Sequence, residues 1–178
     1  MDDIVVRYMK PEDLAICMVM DASYHTDFVW QMEIAQNETK MDVSFKEIRL
    51  PRSMRVEYPR SSEEVIDSFR KRESVMVGIL NGDPAGYLSL LVHTGASLAQ
   101  VTDIVVNRRF RRRGVGSMLI RSAQNWAKQN GLNKLQIEMQ SKNFPAIEMA
   151  NKLGFEFCGY NDRYYQNQDI ALFFVRRF

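Results

Sequence analysis

One junction constrains this chain more than any other feature. From Thr102 to Ser117 it reads TDIVVNRRFRRRGVGS, so a β-branched run (Ile104, Val105, Val106) meets a turn with five arginines and then Gly114 and Gly116. Beyond the glycines the apolar period becomes helical, with Val115, Met118, Leu119, Ala123, Trp126 and Ala127 on one face. A strand feeding directly into an amphipathic helix predicts that the helix lies back on a sheet, in a mixed α/β domain. Small residues at the helix start leave backbone N–H groups bare, backed by the positive end of the macrodipole. That arrangement holds an anion, most often a phosphate.

Composition sets the outer bounds. The 178 residues are 46% hydrophobic and 26% charged, which suits a single domain over 1–178 with its own core. A net charge of +2 creates no global field that would demand a nucleic acid. A nucleic-acid patch also interleaves aromatics along a face, whereas the arginine turn holds only Phe110, expected to plug beneath it. Cys17 and Cys158 read as lone thiols of a reduced compartment. The start, MDDIVVRYMK, has no basic leader region, and no apolar run approaches the ~20 residues of a membrane span. A cytoplasmic protein with no membrane partner is expected. His25 and His93 lie far apart without a cysteine cluster, so no metal site is expected.

The rest of the chain reads as follows. Ile4 to Met9 is a strand, and a helix starts at Pro11 with Leu14, Cys17 and Met18 on one face. Phe28 to Trp30 and Val43 to Leu50 are extended, Pro51 to Tyr58 is a loop, and a capped helix runs from Ser61 to about Arg72. Strands at Val75–Leu80, Ala85–His93 and Gln100–Val106 make an antiparallel meander, turning first at Asn81-Gly82-Asp83-Pro84. After the helix that Gly131 ends, a strand (Lys134–Met139), a helix (Pro145–Lys152) and two strands (Phe155–Tyr160, Ile170–Val175) follow. The expected fold class is α/β, a mixed sheet in which an antiparallel meander precedes βαβαββ.

Three phosphate motifs compete at Gly114. A P-loop needs Lys-Ser/Thr after its second glycine, but Ser117 and Met118 stand there. A dinucleotide fingerprint needs a third glycine where Leu119 stands, and a meander is the wrong context for it. The third motif, Arg/Gln-x-x-Gly-x-Gly/Ala, is matched by Arg111, Gly114 and Gly116. A second signature, Asn-x-x-Ala-x-x-x-Tyr-x-Lys-x-Gly-Phe, is followed by Asn143, Ala146, Lys152, Gly154 and Phe155, with Ala150 in place of the tyrosine. On these motifs the chain from about Val75 to Phe178 resembles the GNAT superfamily of acetyl-CoA-dependent N-acetyltransferases.

The resemblance implies a GNAT-like fold, acetyl-CoA as cofactor and acetyl transfer to a primary amine by direct attack in a ternary complex. Backbone amides around Arg112, Arg113, Gly114, Val115, Gly116 and Ser117 would wrap the pyrophosphate. The Arg111, Arg112 and Arg113 side chains would add charge at the rim. Ile104, Val105 and Val106 would pair with the pantetheine arm, an N–H near Val106 would polarise the thioester carbonyl, and Asn143 would approach from the other side, unless it serves only as a helix cap. An alkylamine of pKa ~10 must lose a proton at pH 7. Glu138 is the first candidate for the base and Asp103 the second. With Ala150 at the tyrosine position, the acid is water or one of Tyr160, Tyr164 and Tyr165, and a non-catalytic acyl-CoA-binding module stays open as the alternative. Residues 22–60 and the final hairpin should read the acceptor, a small molecule or a peptide N-terminus. Phe28, Trp30, Tyr58 and the Tyr164-Tyr165 pair are candidates for an aromatic-lined cleft, and Glu33, Glu47 and Asp162 for attracting a cationic amine. The tail is similar to both ribosomal-protein and streptothricin acetyltransferases. Self-association into a homodimer is left open.

Overall fold

Apolar residues on successive positions of one strand need cover on both faces of the sheet, and the central strands have that pattern. In the computed structural model, which describes residues 3–178, Met76 and Leu88 face one core while their neighbours Val77 and Tyr87 face another. The seven-stranded sheet runs β1-β4-β5-β6-β7-β9-β8. Its strands are β1 (Ile4–Tyr8), β4 (Ser74–Leu80), β5 (Asp83–His93), β6 (Leu98–Val106), β7 (Lys134–Gln140), β8 (Glu156–Asn161) and β9 (Ala171–Arg177). All neighbours are antiparallel except β6 and β7, which are parallel and joined through helix α3 (Val115–Gln129). The meander and the βαβαββ order are therefore as expected.

Helix α3 buries Leu119, Ile120, Ala123 and Ala127 completely. The two alanines let its backbone sit close to the sheet. Helix α4 (Phe144–Lys152) adds Ile147 and Ala150 to the same core. Helices α1 (Pro11–Met18) and α2 (Ser62–Arg70) cover the opposite face through Cys17 and Val65. At the start of α1, buried Asp13 accepts from the Lys10 N–H at 2.8 Å and from the Arg7 guanidinium at 2.6 and 2.9 Å. The Arg7 hydrogen bonds hold the Asp13 carboxyl below its ordinary range.

A second, two-stranded sheet forms a long arm from β2 (Tyr24–Gln36) and β3 (Met41–Val56). The loop expected over Pro51–Tyr58 is corrected here, because β3 continues to Val56, which pairs with Tyr24. The pairing jumps from Phe28↔Arg49 to Thr26↔Met54, so residues 50–53 form a bulge opposite Asp27. Pro51 sits in that bulge, where no ladder N–H is needed. The arm is fixed to the body by the Trp30 N–H, which donates to the Ser141 carbonyl at 2.9 Å. The Trp30 ring also packs on Phe174 at 5.7 Å and Phe157 at 6.2 Å. Among the described residues, no helix is long and apolar enough to cross a membrane.

Gly86 on β5 marks a close approach. A Cβ there would lie 2.5 Å from the Val105 carbonyl oxygen and 3.2 Å from the Val106 Cα, both backbone atoms that cannot swing aside. Gly86→Ala is expected to destabilise the protein by about 1–3 kcal/mol, seen as a lower urea midpoint at constant slope.

Candidate active site

The site begins where two parallel strands separate. β6 and β7 pair only from Leu98↔Lys134 to Val101↔Ile137, although β6 runs on to Val106 and β7 to Gln140. The cause lies on the other side of β6. Its register with β5 jumps from Leu90↔Val101 to Ser89↔Asp103, which leaves Thr102 as an extra residue. Such a bulge bends the strand that carries it. The fork opens into a cleft of about 670 Å³ lined by Ile104, Val105 and Val106 from β6 and by Glu138, Met139 and Gln140 from β7. That volume is in the range of small-molecule sites.

At one end of the cleft lies the arginine turn. Phe110 is buried beneath it, as expected, and the Arg109 guanidinium stacks on its ring at 4.4 Å. Arg112 (φ +64°) and Gly114 (φ +90°) are both left-handed, which turns the chain sharply into α3. The Met118 N–H donates to the Gly114 carbonyl at 3.0 Å. The N–H groups before it, of Val115, Gly116 and Ser117, therefore have no acceptor within the helix. At Gly116 a Cβ would lie 3.2 Å from Met149 Sδ and 3.6 Å from Val106 Cγ2, so glycine keeps the gap between α3 and α4 clear. Bare amides, a helix N-terminus and an open gap fit the pyrophosphate of a coenzyme.

The arginines divide. Arg111, which lines the cleft, donates to the carbonyls of Val106 (2.8 Å), Ser23 (2.5 Å) and Asp21 (2.9 Å), so its guanidinium, expected to add charge at the rim, is tied to protein carbonyls there. Burial lowers its pKa. Arg112, with Arg108, lines the cleft, while Arg113 is exposed outside it. Asn143 lines the cleft too, and its side-chain oxygen caps α4 by accepting from the Ala146 N–H at 3.2 Å.

At the crotch of the fork, the two acids named from sequence meet through a residue that was not named. Asp103 on β6 is 1% exposed and Glu138 on β7 5%. Arg60, from the loop between β3 and α2, reaches both. Its Nη1 donates to Asp103 Oδ1 at 2.9 Å and to the Thr102 carbonyl at 2.6 Å, and its Nη2 to Glu138 Oε1 at 2.5 Å. Asp103 also accepts from Tyr58 (2.7 Å), Ser89 (2.7 Å) and Thr102 (3.1 Å) hydroxyls. Glu138 accepts from Gln100 Nε2 at 2.8 Å and Tyr164 at 3.1 Å. Burial pushes both carboxyls up. At Asp103 the Arg60 charge and the hydroxyls outweigh it and hold the group below its ordinary value. At Glu138 burial prevails, aided by the Asp103 charge, and the group stays above its ordinary value although Arg60 and Tyr164 pull it down.

The side chains of both acids are enclosed, but only Glu138 is among the residues that line the cleft. Tyr165 lines the cleft with Arg60 over its ring at 5.6 Å, and Tyr164 is held on Glu138. Tyr160 packs on Phe45 instead, at 5.3 Å. Ala150 is wholly buried in the core. Tyr24, also missed in the sequence, lines the cleft and donates to Gln140 Oε1 at 3.0 Å. Among the residues expected for the acceptor, Phe28 packs on Phe144 and Trp30 on the arm's aromatic cluster, so neither lines the cleft. Glu33 pairs with Lys46 on the arm, Glu47 pairs in register with Trp30 there, and Asp162 is an exposed neighbour of Arg163. Among the described residues, no group of three or more His, Cys, Asp or Glu could hold a metal ion.

Comparison with known proteins adds to the geometry. Residues 42–155 match the model of the Acetyltransferase (GNAT) family. A stretch of 95 residues is 34% identical to a streptothricin acetyltransferase of Streptomyces lavendulae and covers 53% of this chain and 50% of that one. Another 95-residue match, 30% identical, is to an L-amino acid N-acetyltransferase of Escherichia coli, covering 50% and 57%. The chain thus spans about half the length of the curated relatives it matches. A solved nourseothricin acetyltransferase superposes with a TM-score of 0.81 at 22% identity over 98% of both chains. A Bacillus anthracis protein solved in complex with acetyl coenzyme A gives 0.75 at 20% identity, over 99% of this chain and 98% of that one.

Removing the shared guanidinium leaves two buried like charges. Arg60→Met is expected to destabilise the fold by about 3–5 kcal/mol at neutral pH. The loss should shrink as pH falls, because the stranded carboxylates, raised without their partner, take up protons. Wild-type Asp103, by contrast, loses its favourable contribution as pH falls through its lowered value. Urea unfolding at several pH values checks both the size and the sign.

Proposed function

The chain belongs to the acetyltransferase (GNAT) family, and from that premise we propose that it is an N-acetyltransferase that joins the acetyl group of acetyl-CoA to a primary amine held in the same cleft. One observation carries the reading: a single cleft is lined by the amide-bearing turn Gly114-Val115-Gly116-Ser117 and has the buried carboxylate Glu138 in its wall. Bound acetyl-CoA supplies an activated acyl group and a thiol leaving group of pKa ~8.5, able to depart at neutral pH without a dedicated acid, which suits a chain with Ala150 at the family's tyrosine position.

The residues then divide the work. Amides from Arg112 to Ser117 hold the pyrophosphate, with Arg108 and Arg112 at the rim. Among the described residues no strand pairs with β6 on its β7 side beyond Val101, so Ile104, Val105 and Val106 receive the pantetheine arm as an added strand, and Asn143 lies opposite. Glu138 takes the proton of the incoming ammonium, directly or through one water. Its raised pKa makes it a better base than an exposed glutamate. Asp103, which does not line the cleft, supports Glu138 rather than touching the acceptor. The amine enters between Tyr24, Tyr58 and Tyr165, whose rings and the carboxylate behind them favour a cationic group. The streptothricin and L-amino acid relatives are named for amine-bearing acceptors, in keeping with this assignment.

Incubation with acetyl-CoA and a panel of amines, small molecules and peptide N-termini alike, tests the proposal by free-thiol release and product mass. Acetylation of at least one amine class is expected. Binding of coenzyme A without acetylation of any would leave only a binding module. Glu138→Gln is expected to lower kcat by about 10²–10⁴-fold with acetyl-CoA affinity retained, and an unaltered kcat and pH profile would remove Glu138 as the base. Gly116→Leu, which fills the gap beside Met149 and Val106, is expected to weaken acetyl-CoA binding about tenfold or more (about 1.4 kcal/mol), as read by calorimetry.

A further inference from the structure

Arg60 lies outside both family signatures, yet its guanidinium links the two strands of the fork. It bonds Asp103 on β6 and Glu138 on β7 and is mostly enclosed, with 17% of its side chain exposed. The loop that carries it is fixed at its far end. The Ser61 N–H donates to Glu64 Oε2 at 2.6 Å while the Glu64 N–H donates to Ser61 Oγ at 3.2 Å, a reciprocal cap on α2. Gln166 then ties Glu64 to the loop between β8 and β9, which brings Tyr164 and Tyr165. The arginine is thus held in place from several sides.

We propose that Arg60 is a positioning residue for acetyl transfer: as the shared counter-ion of Asp103 and Glu138, it orients the Glu138 carboxylate toward the cleft and keeps it ionised, thereby setting the pH at which the enzyme deprotonates its acceptor. The proposal rests on the reading of Glu138 as the base.

The surroundings leave this work to Arg60. The groups facing Glu138 are Asp103 from β6, Gln100 from β6 with His93 of β5 behind it, and Tyr164 and Tyr165 from the β8–β9 loop. Arg72 acts on Tyr164 from farther off. Gln100 and Tyr164 are neutral donors, and Asp103 is a like charge that favours protonation of Glu138. Arg60 counters both that charge and the burial. Asp103 is the anchor for the guanidinium, and it does not line the cleft, whereas Glu138 does. A simple staple would need only shape and hydrogen bonds, whereas this role needs the positive charge.

The test compares wild type with Arg60→Gln, Arg60→Lys and Arg60→Gln combined with Asp103→Asn. Two quantities are read: the pH dependence of kcat/KM, and the titration of the Glu138 carboxyl by carbon NMR with and without Arg60. The acceptor's own pKa is common to all variants and cancels. Arg60→Gln is expected to move both the acidic limb and the carboxyl titration up by about 1–3 pH units. Arg60→Lys should shift them less, and Asp103→Asn in the Gln background should bring them part of the way back. A fall in kcat/KM by one factor at every pH, with limb and titration unmoved, would overturn the proposal and leave Arg60 a staple. A titration that moves while the limb stays would instead overturn the assignment of Glu138 as base, with the coupling to Arg60 intact. Arg60→Lys keeps the charge in the pair, and its two readings alone decide the matter if the Gln variants do not fold.

Discussion

The separation of β6 from β7 is the constraint on which the rest of the molecule depends. A parallel pair of strands buried in a sheet normally hydrogen-bonds along its length, and unpaired buried backbone groups are costly. Here pairing stops at Val101↔Ile137 because the Thr102 bulge bends β6 toward β5. The strand edges beyond that point need another partner, and a chain-like amide ligand can supply one. The same bend aims Asp103 into a nest of hydroxyls and leaves Glu138 in the wall of the cleft. Fold and chemistry thus share one local cause, a single extra residue in one strand.

Opening a sheet in this way also creates an electrostatic problem. Two carboxylates lie at the crotch with almost no contact with water. An isolated buried charge is very unfavourable, and a buried pair is stable only when its hydrogen bonds are met. Arg60 bonds both acids, and hydroxyls and an amide fill most of the remaining acceptor positions. The result is asymmetric, with Asp103 held below its ordinary pKa and Glu138 above. That separation suits the two roles proposed for the acids: a fixed anchor on one strand and a proton acceptor on the other.

Much of this was legible in the sequence where the signal is local. The change of period at Gly114, the meander and the βαβαββ order rest on patterns within ten or fifteen residues, and they stand as read. The glycine turn stands too, since Gly114 adopts the left-handed conformation and Gly116 keeps the gap clear. What was not legible depends on distance. Arg60 meets Asp103 across 43 positions and Glu138 across 78, and nothing in Tyr58-Pro59-Arg60 announces either contact. Arg111 looked like its neighbours, but a tertiary contact with the carbonyls of Asp21 and Ser23 decides its role. Pro51 suggested a loop, yet a bulge let β3 pass it. Phe28 and Trp30 advertised a binding cleft, although aromatic residues more often serve packing, as they do here.

On the proposed function, the fork receives acetyl-CoA and presents its acyl carbon beside Glu138. An experimental structure of the complex with acetyl-CoA tests this most directly. The pyrophosphate is expected on the amides between Arg112 and Ser117, the pantetheine along Ile104–Val106, and the acyl carbon where an attacking amine lies within hydrogen-bond reach of Glu138, about 2.6–3.2 Å or through one water. A cofactor bound outside the fork would remove the fork as the cofactor site, and a thioester placed so that Glu138 can reach no amine attacking it would remove Glu138 as the base.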